Sequence, residues 1–216
     1  MSKREAAPHP VYVLVGGAGR RFGGPKATAA IDGQPWAIDV GRRLACGEAF
    51  TLVGRCSIDK SAARRIDDAP LGHGPLSGLL AALEDREATF GTGWLALASC
   101  DLVWPDPAWL TPLLDERGTV SSKPRPIAFH AEDRWQPFPS LWHTSVLGLV
   151  AHAVDRGERT FQRLLGELGA TRVCWLGPGA TPPQANTAEE LRRLAPDARL
   201  GQTAGSGERT ATGSES

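Results

Sequence analysis

The fold of this chain is decided by two adjacent segments, Val11–Val15 (VYVLV) and Gly16–Lys26 (GGAGRRFGGPK). A continuous apolar run rich in β-branched residues is typical of a strand that is buried on both faces. The glycines that follow allow backbone N–H groups to approach an anion without obstruction from side chains. These segments therefore predict an α/β protein whose first strand leads directly into an anion-binding loop.

Strand-like and helix-like segments alternate along the rest of the chain. The further predicted strands are Phe50–Val53, Trp94–Ala98, Ile127–His130, Ser140–Trp142 and Arg172–Leu176. The predicted helices are Pro35–Cys46, Pro75–Leu83, a helix that begins at Pro107 with Asp106 as its cap, Val146–Val154, Phe161–Leu168, and a last helix opened by the capping-box pair Thr187 and Glu190. Such alternation predicts βαβ units, and hence a three-layer α/β/α, Rossmann-like fold with a mostly parallel mixed sheet. Ligands bind outside the carboxyl ends of the strands in such sheets, which directs attention to the loops after Val15 and Ala98.

The size and charge of the chain restrict its function class. Its 216 residues suit one substantial domain, which we place at residues 11–200. The polar ends, residues 1–10 and 201–216, are predicted to be disordered because they cannot bury an apolar face. The 24 basic and 24 acidic residues give a net charge of zero, so neither a nucleic acid nor a membrane is expected as a partner.

The four cysteines indicate the compartment. Cys46, Cys56, Cys100 and Cys174 are widely spaced and lack the pattern of a zinc site. A chain of this size does not need disulfides, and no secretory signal precedes the first strand. We therefore expect reduced thiols and a cytoplasmic protein.

The glycine-rich loop does not fit two common phosphate-binding motifs. In a dinucleotide fingerprint that starts at Gly17 and Gly19, the third glycine would fall on Phe22. A Walker loop needs glycine before its lysine and Ser or Thr after it, but here Pro25 and Ala27 flank Lys26. Arg21 and Lys26 nevertheless add positive charge that suits a triphosphate. The alternative interpretation is a tight, solvated turn between a strand and a helix.

A third pattern does fit, namely G-G-x-[small]-x-R-[M/F]-G-x-x-K. It resembles the loop of the nucleotidyltransferase family that includes the molybdenum cofactor guanylyltransferases. The resemblance implies that the loop wraps a triphosphate and that Arg21 and Lys26 are catalytic. Gly19 stands where the family usually has serine.

Asp101 follows the buried strand Trp94–Ala98. A carboxylate at the carboxyl end of a strand is well placed to hold a metal ion beside a phosphate, and Mg²⁺ needs only one or two protein carboxylates. The family resemblance likewise implies that Asp101 is a catalytic metal ligand and that Mg²⁺ is the cofactor. The alternative is an aspartate that only shapes a turn.

Three shorter matches extend the resemblance as far as Leu191. Gly74-Pro75-Leu76-Ser77-Gly78 resembles the family segment beside the base and ribose of the nucleotide. Asp67 and Asp68 lie just upstream, where a carboxylate would accept hydrogen bonds from guanine, although an exposed loop is the simpler interpretation. Asn186, in an N-T-x-E-E-L element, and Gln136 resemble family positions on the acceptor side.

Together the matches imply the following nucleotide-binding set: Leu14, Val15, Gly16, Gly17, Ala18, Gly19, Arg21, Lys26, Asp68, Gly74, Pro75, Leu76 and Asp101. They imply transfer of GMP from GTP to molybdopterin or the molybdenum cofactor, with release of pyrophosphate, within a nucleotidyltransferase fold. Molybdoenzymes or their chaperones are further partners to consider.

Other functions stay open at this point. Pro25 before Lys26 is found in cytidylyltransferases that act on the same cofactor, and enzymes that form sugar or phospholactate conjugates are further relatives. From another class, Gly19 would suit a non-catalytic GTP-binding module, whereas Arg21, Lys26 and Asp101 favour an enzyme. A scaffold for a molybdoenzyme chaperone has no specific support.

Overall fold

The structure is a computed structural model and describes residues 9–16, 22, 26–59, 61–68, 74–118 and 123–202. The strands in these ranges are β1 (Val11–Leu14), β2 (Ala29–Ile31), β3 (Gln34–Pro35), β4 (Phe50–Val53), β5 (Arg64–Ile66), β6 (Trp94–Ser99), β7 (Ile127–Ala131), β8 (Arg134–His143), β9 (Thr171–Cys174) and β10 (Leu200–Gln202). The helices are α1 (Trp36–Leu44), α2 (Pro75–Phe90), α3 (Leu110–Glu116), α4 (Leu147–Asp155), α5 (Phe161–Glu167) and α6 (Ala188–Leu194). Short 3₁₀ turns occupy Lys26–Thr28, Pro107–Trp109 and Thr144–Val146.

Seven of these strands form the main sheet, in the order β5-β4-β1-β6-β8-β7-β9. The pairs β5–β4, β4–β1, β1–β6 and β7–β9 are parallel, whereas β8 is antiparallel to both β6 and β7. All strands of this sheet except β8 therefore point the same way, and their carboxyl ends share one edge, which we call the carboxyl edge. The predicted mostly parallel mixed sheet is confirmed.

Helices cover both faces of the sheet. Val11 and Val13 of β1 pack in one buried cluster together with residues of α1, α3 and α6. Tyr12 and Leu14 pack in a second cluster with residues of α2, α4 and α5. Because successive side chains of a strand point to opposite faces, the run VYVLV serves both clusters. The three-layer α/β/α fold predicted from the sequence is confirmed.

One hairpin was only partly predicted. The short strand expected at Ser140–Trp142 is the end of the ten-residue strand β8, which pairs with β7. Glu132 and Asp133 turn the chain with positive φ angles of 50° and 56°, and neither is the glycine that would have marked such a turn. Pro137 and Pro139 further obscured the strand pattern.

The smaller sheet corrects the predicted end of the domain. Its strand order is β10-β2-β3, and Gly201 of β10 lies opposite Ala30 of β2. Residues 201 and 202 therefore belong to a strand, and the tail predicted from residue 201 begins at least two residues too early. This pairing uses backbone groups and needs no apolar side chain, so the polar composition concealed it. Residues 203–216 lie outside the described ranges.

At the other end, Pro10 lies before the predicted boundary at residue 11 but pairs with the main sheet. The backbone N–H of Ala96 donates to the carbonyl of Pro10 at 3.0 Å, which joins Pro10 to the start of β6. Residues 1–8 lie outside the described ranges. Among the described helices, none is long and apolar enough to cross a bilayer.

We expect Gly41→Val to destabilise the fold by about 1–3 kcal/mol. A Cβ at Gly41 of α1 would overlap the ring of Phe50 on β4, and Phe50 is buried in the core. Chemical denaturation checks this value. Gly148→Val is the matched control because a Cβ at Gly148 of α4 meets nothing within 4 Å. Equal losses in both variants would contradict the packing argument.

Candidate active site

The candidate site begins where β1 ends, at the carboxyl edge. The N–H of Val15 continues the pairing with β4 by donating to Val53 at 3.0 Å. Gly54 follows with φ of 109°, and a Cβ there would lie 3.3 Å from the nitrogen of Gly16. The two chains can pass this closely because Gly54 has no side chain. Leu14 and Val15 are buried, so only backbone groups at their end of β1 are available to a ligand.

Part of the predicted loop is outside the described residues. Gly17, Ala18, Gly19 and Arg21 fall there, so their predicted contacts with a triphosphate stay predictions. Gly16 is described and exposed, and Lys26 is described and partly buried. Both ends of the loop therefore lie at the carboxyl edge.

Asp101 lies beside Lys26, two residues after the end of β6. Its Oδ2 atom is 3.8 Å from the Nζ atom of Lys26, and the two side chains are only 19% and 17% exposed. The N–H of Cys100 donates to the Leu14 carbonyl at 3.0 Å, which keeps the residues after β6 against the end of β1. The structure thus brings together the two described residues that the sequence predicted to be catalytic.

Asn186 joins them from the far end of the chain. Lys26 Nζ donates to Asn186 Oδ1 at 2.8 Å, across a separation of 160 residues. The family resemblance placed Asn186 on the acceptor side, and the structure additionally places its amide oxygen on the lysine. Lys26 therefore lies between a carboxylate and an amide oxygen.

Backbone hydrogen bonds hold the segment before Asn186 against the residues that follow β6. The N–H of Ala185 donates to the Asp101 carbonyl at 3.0 Å, and the N–H of Val103 donates to Pro183 at 2.9 Å. In addition, Trp36 Nε1 of α1 donates to the Leu102 carbonyl at 2.7 Å. Asp101 is therefore held by several elements.

The Asp101 carboxylate has an unused acceptor. Its Oδ1 atom is buried and has no hydrogen-bond partner, which is costly for a charged oxygen. Carboxylate and amide oxygens are the ligand types that Mg²⁺ takes, and phosphates and water complete its shell. The unpartnered Asp101 Oδ1 therefore fits such an ion, whereas Asn186 Oδ1 already accepts from Lys26. Within the described ranges no three His, Cys, Asp or Glu side chains cluster as a metal site.

The Gly74–Ser77 segment starts α2, which packs on the opposite face of the sheet from α1 and α6. Gly74 precedes the helix with φ of 80°, and Pro75 is its first residue. Gly74 and Pro75 are exposed, whereas the side chain of Leu76 is fully buried in the core. A nucleotide at this site would therefore meet the backbone of Leu76 and not its side chain. A flat base can approach such a surface closely.

Two other predicted residues lie near the same edge. Asp68 is half-buried and follows the end of β5 by two residues. Gln136 is half-buried on β8, opposite Phe129 of β7. Because β8 is antiparallel to β6 and Ser140 pairs with Leu97, Gln136 extends past the carboxyl end of β6. No described contact joins either residue to Lys26 or Asp101.

Arg159, which no sequence motif indicates, also lies near the start of α2. Its Cβ atom lies 3.8 Å from the position that a Cβ would take at Gly74, so the loop before α5 lies against the start of α2. The Arg159 side chain is exposed, and Glu158 holds the loop by accepting from the N–H groups of Arg159 and Thr160 at 2.9 and 2.8 Å. No local pattern distinguished Arg159 from the other surface arginines.

Cys100 can be assigned to packing. Burial, and then the adjacent Asp101 carboxylate, raise the pKa of the Cys100 thiol to about 12. The thiol therefore stays protonated at neutral pH and is not a nucleophile. All four cysteines are free thiols in the structure.

Known proteins match most of the chain. The sequence profile of the MobA-like NTP transferase domain matches residues 11–172. A probable molybdenum cofactor guanylyltransferase of Opitutus terrae is 31% identical over 160 residues, which are 72% of this chain and 77% of that protein. The molybdenum cofactor guanylyltransferase of Pseudomonas paraeruginosa is 30% identical over 173 residues, 77% of this chain and 84% of that protein.

Solved structures share the fold. The molybdopterin-guanine dinucleotide biosynthesis protein A of Archaeoglobus fulgidus superposes with a TM-score of 0.68 at 22% identity, covering 86% of this chain and 96% of that one. The 2-C-methyl-D-erythritol 4-phosphate cytidylyltransferase of Thermus thermophilus superposes with a TM-score of 0.58 at 12% identity, covering 85% and 95%.

Proposed function

Because this chain belongs to the MobA-like NTP transferase family and is a nucleotidyltransferase, we propose that it transfers GMP from GTP to the phosphate of molybdopterin or the molybdenum cofactor. Pyrophosphate is the second product, and the reaction depends on Mg²⁺. The observation that carries the proposal is the convergence of Lys26, Asp101 and Asn186 at the carboxyl edge. A cytoplasmic location, expected from the cysteines, stays a prediction.

Several parts of the chain share the binding of the substrates. Lys26 supplies a compact positive charge for the β- and γ-phosphates, and the loop from Gly16 to Lys26 supplies backbone N–H donors and Arg21. The start of α2 at Gly74 receives the base and ribose, and Asp68 supplies an acceptor for guanine. Gln136 and Asn186 border the acceptor.

Asp101 would hold Mg²⁺, which when bound would neutralise charge that develops on the phosphates. An oxygen of the acceptor phosphate forms a bond to the α-phosphorus of GTP, while the bond from that phosphorus to the bridging oxygen breaks. The pyrophosphate leaves with that bridging oxygen. The attacking phosphate is already ionised at neutral pH, so the site needs no general base. Catalysis then consists of positioning and charge neutralisation.

Release of pyrophosphate tests this proposal. Full-length protein is incubated with Mg²⁺, phosphorylated molybdopterin or molybdenum cofactor, and GTP, CTP, ATP or UTP in separate reactions. We expect release with GTP and little with the other nucleotides. Mass spectrometry of the dinucleotide product confirms which base was transferred, and omission of the acceptor controls for simple hydrolysis.

The remaining outcomes separate the alternatives. Preference for CTP would refute the guanylyltransferase assignment and favour a cytidylyltransferase with the same mechanism, in line with Pro25 before Lys26. Release only with a sugar phosphate or phospholactate would refute the cofactor as acceptor. Binding of GTP without release for every acceptor would favour the non-catalytic module.

A further inference from the structure

Asn186 is held in place from both sides. On one side its neighbour Ala185 is bonded to the Asp101 carbonyl at 3.0 Å. On the other side the N–H of Asn186 donates to Glu190 Oε2 at 2.6 Å. These contacts leave the Asn186 side chain exposed and direct its amide oxygen at Lys26 Nζ.

Glu190 does more than cap α6. In the capping box of this helix, Thr187 Oγ1 accepts from the N–H of Glu190 at 3.1 Å, and Glu190 Oε2 accepts from the N–H of Thr187 at 3.2 Å. Capping requires only these two contacts. The same Oε2 atom makes its shorter bond to Asn186, which lies outside the helix and carries the side chain that contacts Lys26.

We propose that Glu190 is a positioning residue, which holds the Asn186 amide oxygen on Lys26 and beside Asp101. The proposal rests on the proposed function, because the groups it positions are those assigned to the nucleotide and the metal. A charge-assisted bond to a backbone N–H is strong and fixes the peptide plane before Asn186. Without it, Asn186 turns away and Lys26 loses its amide partner.

Four variants separate positioning from capping. Glu190→Ala removes the carboxylate from both Asn186 and Thr187. Glu190→Gln keeps an acceptor oxygen for both N–H groups. Thr187→Ala removes the hydroxyl of the cap but leaves the bond between Glu190 and Asn186. Glu189→Ala removes an exposed carboxylate from the same turn and is the surface control.

Turnover and thermal stability are measured together. We expect Thr187→Ala and Glu190→Ala to lower Tm by a similar amount, about 2–4 °C. Only Glu190→Ala lowers kcat, by about 10–100-fold, and it raises the Mg²⁺ concentration needed for half-maximal turnover. Glu190→Gln restores most of this loss, and Glu189→Ala resembles the wild type.

A second measurement does not depend on turnover. Acylation of Lys26 by an amine-reactive ester, followed by mass spectrometry, reports how firmly its ammonium group is held. We expect Lys26 to be labelled faster than in the wild type in Glu190→Ala and in Asn186→Ala. In Thr187→Ala and Glu190→Gln we expect Lys26 to be labelled at the wild-type rate. Lys123 provides the internal reference in each sample.

The outcomes are distinguishable. If the wild type releases no pyrophosphate, the proposed function fails, and the labelling rates alone decide the role of Glu190. If Glu190→Ala and Thr187→Ala have the same turnover and the same Lys26 labelling, Glu190 is only a cap and the inference is overturned.

Discussion

Asp101→Asn is expected to lower kcat for pyrophosphate release by about 10²–10³-fold. The substitution keeps the size of the side chain but removes the charge that would bind Mg²⁺ next to Lys26. Asp101 Oδ1 is buried without a hydrogen-bond partner, and the ion pair of Asp101 with Lys26 is long at 3.8 Å. Loss of the charge therefore does not cost stability, and Tm is unchanged or higher. Steady-state kinetics and thermal unfolding of the same preparation check both statements.

Asp106→Asn is the control for this substitution. Asp106 Oδ1 caps the turn at Pro107 by accepting from the N–H of Ala108 at 2.8 Å, and asparagine caps as well as aspartate. We therefore expect wild-type turnover and stability. Near-normal turnover in Asp101→Asn would refute the metal assignment, and a large loss of Tm would refute the argument from the unpartnered oxygen.

Lys26→Ala is expected to lower kcat/KM for the nucleotide by about 10–100-fold. Lys26 forms an ion pair with Asp101, and its Nζ atom lies 3.8 Å from Asp101 Oδ2. Its loss removes a charge-assisted contact to the phosphates and leaves the negative charge of Asp101 to repel them. Titration of GTP in the pyrophosphate assay measures the effect.

Two further variants sharpen this test. Lys26→Arg keeps the charge but replaces a compact ammonium with a planar fork, so it restores activity only in part. Lys123→Ala removes an exposed lysine for which no role in the site is proposed, and it keeps wild-type kinetics. If Lys26→Ala bound and turned over GTP normally, the triphosphate would have to be held by other groups.

Much of the fold could be predicted because it is encoded locally. The run at β1 is apolar at every position, since both of its faces are covered by helices. The capping box at Thr187 and Glu190 was predicted from four residues, and the structure confirms it at the start of α6. Asp32-Gly33, a common hairpin turn signal, joins β2 to β3, and this hairpin was not among the predicted elements.

The candidate site was predicted as separate residues rather than as an arrangement. Lys26 and Asp101 were expected at the carboxyl edge because Lys26 ends the loop after β1 and Asp101 follows β6. The contact of Lys26 with Asn186 could not be predicted, because it depends on how the segment after β9 returns along the residues after β6. The closeness of Arg159 to Gly74 was missed for the same reason.

The sequence by itself determined the alternation of buried strands and helices, the family resemblance, and the chemical types of the groups at the strand ends. These follow from local periodicity and from motifs of a few adjacent residues. Only the tertiary structure decided the reversed direction of β8, the pairing of β10 with β2, and the meeting of Lys26 with Asn186. Each of these joins residues far apart in the chain, and such contacts depend on backbone pairing that no local residue pattern specifies.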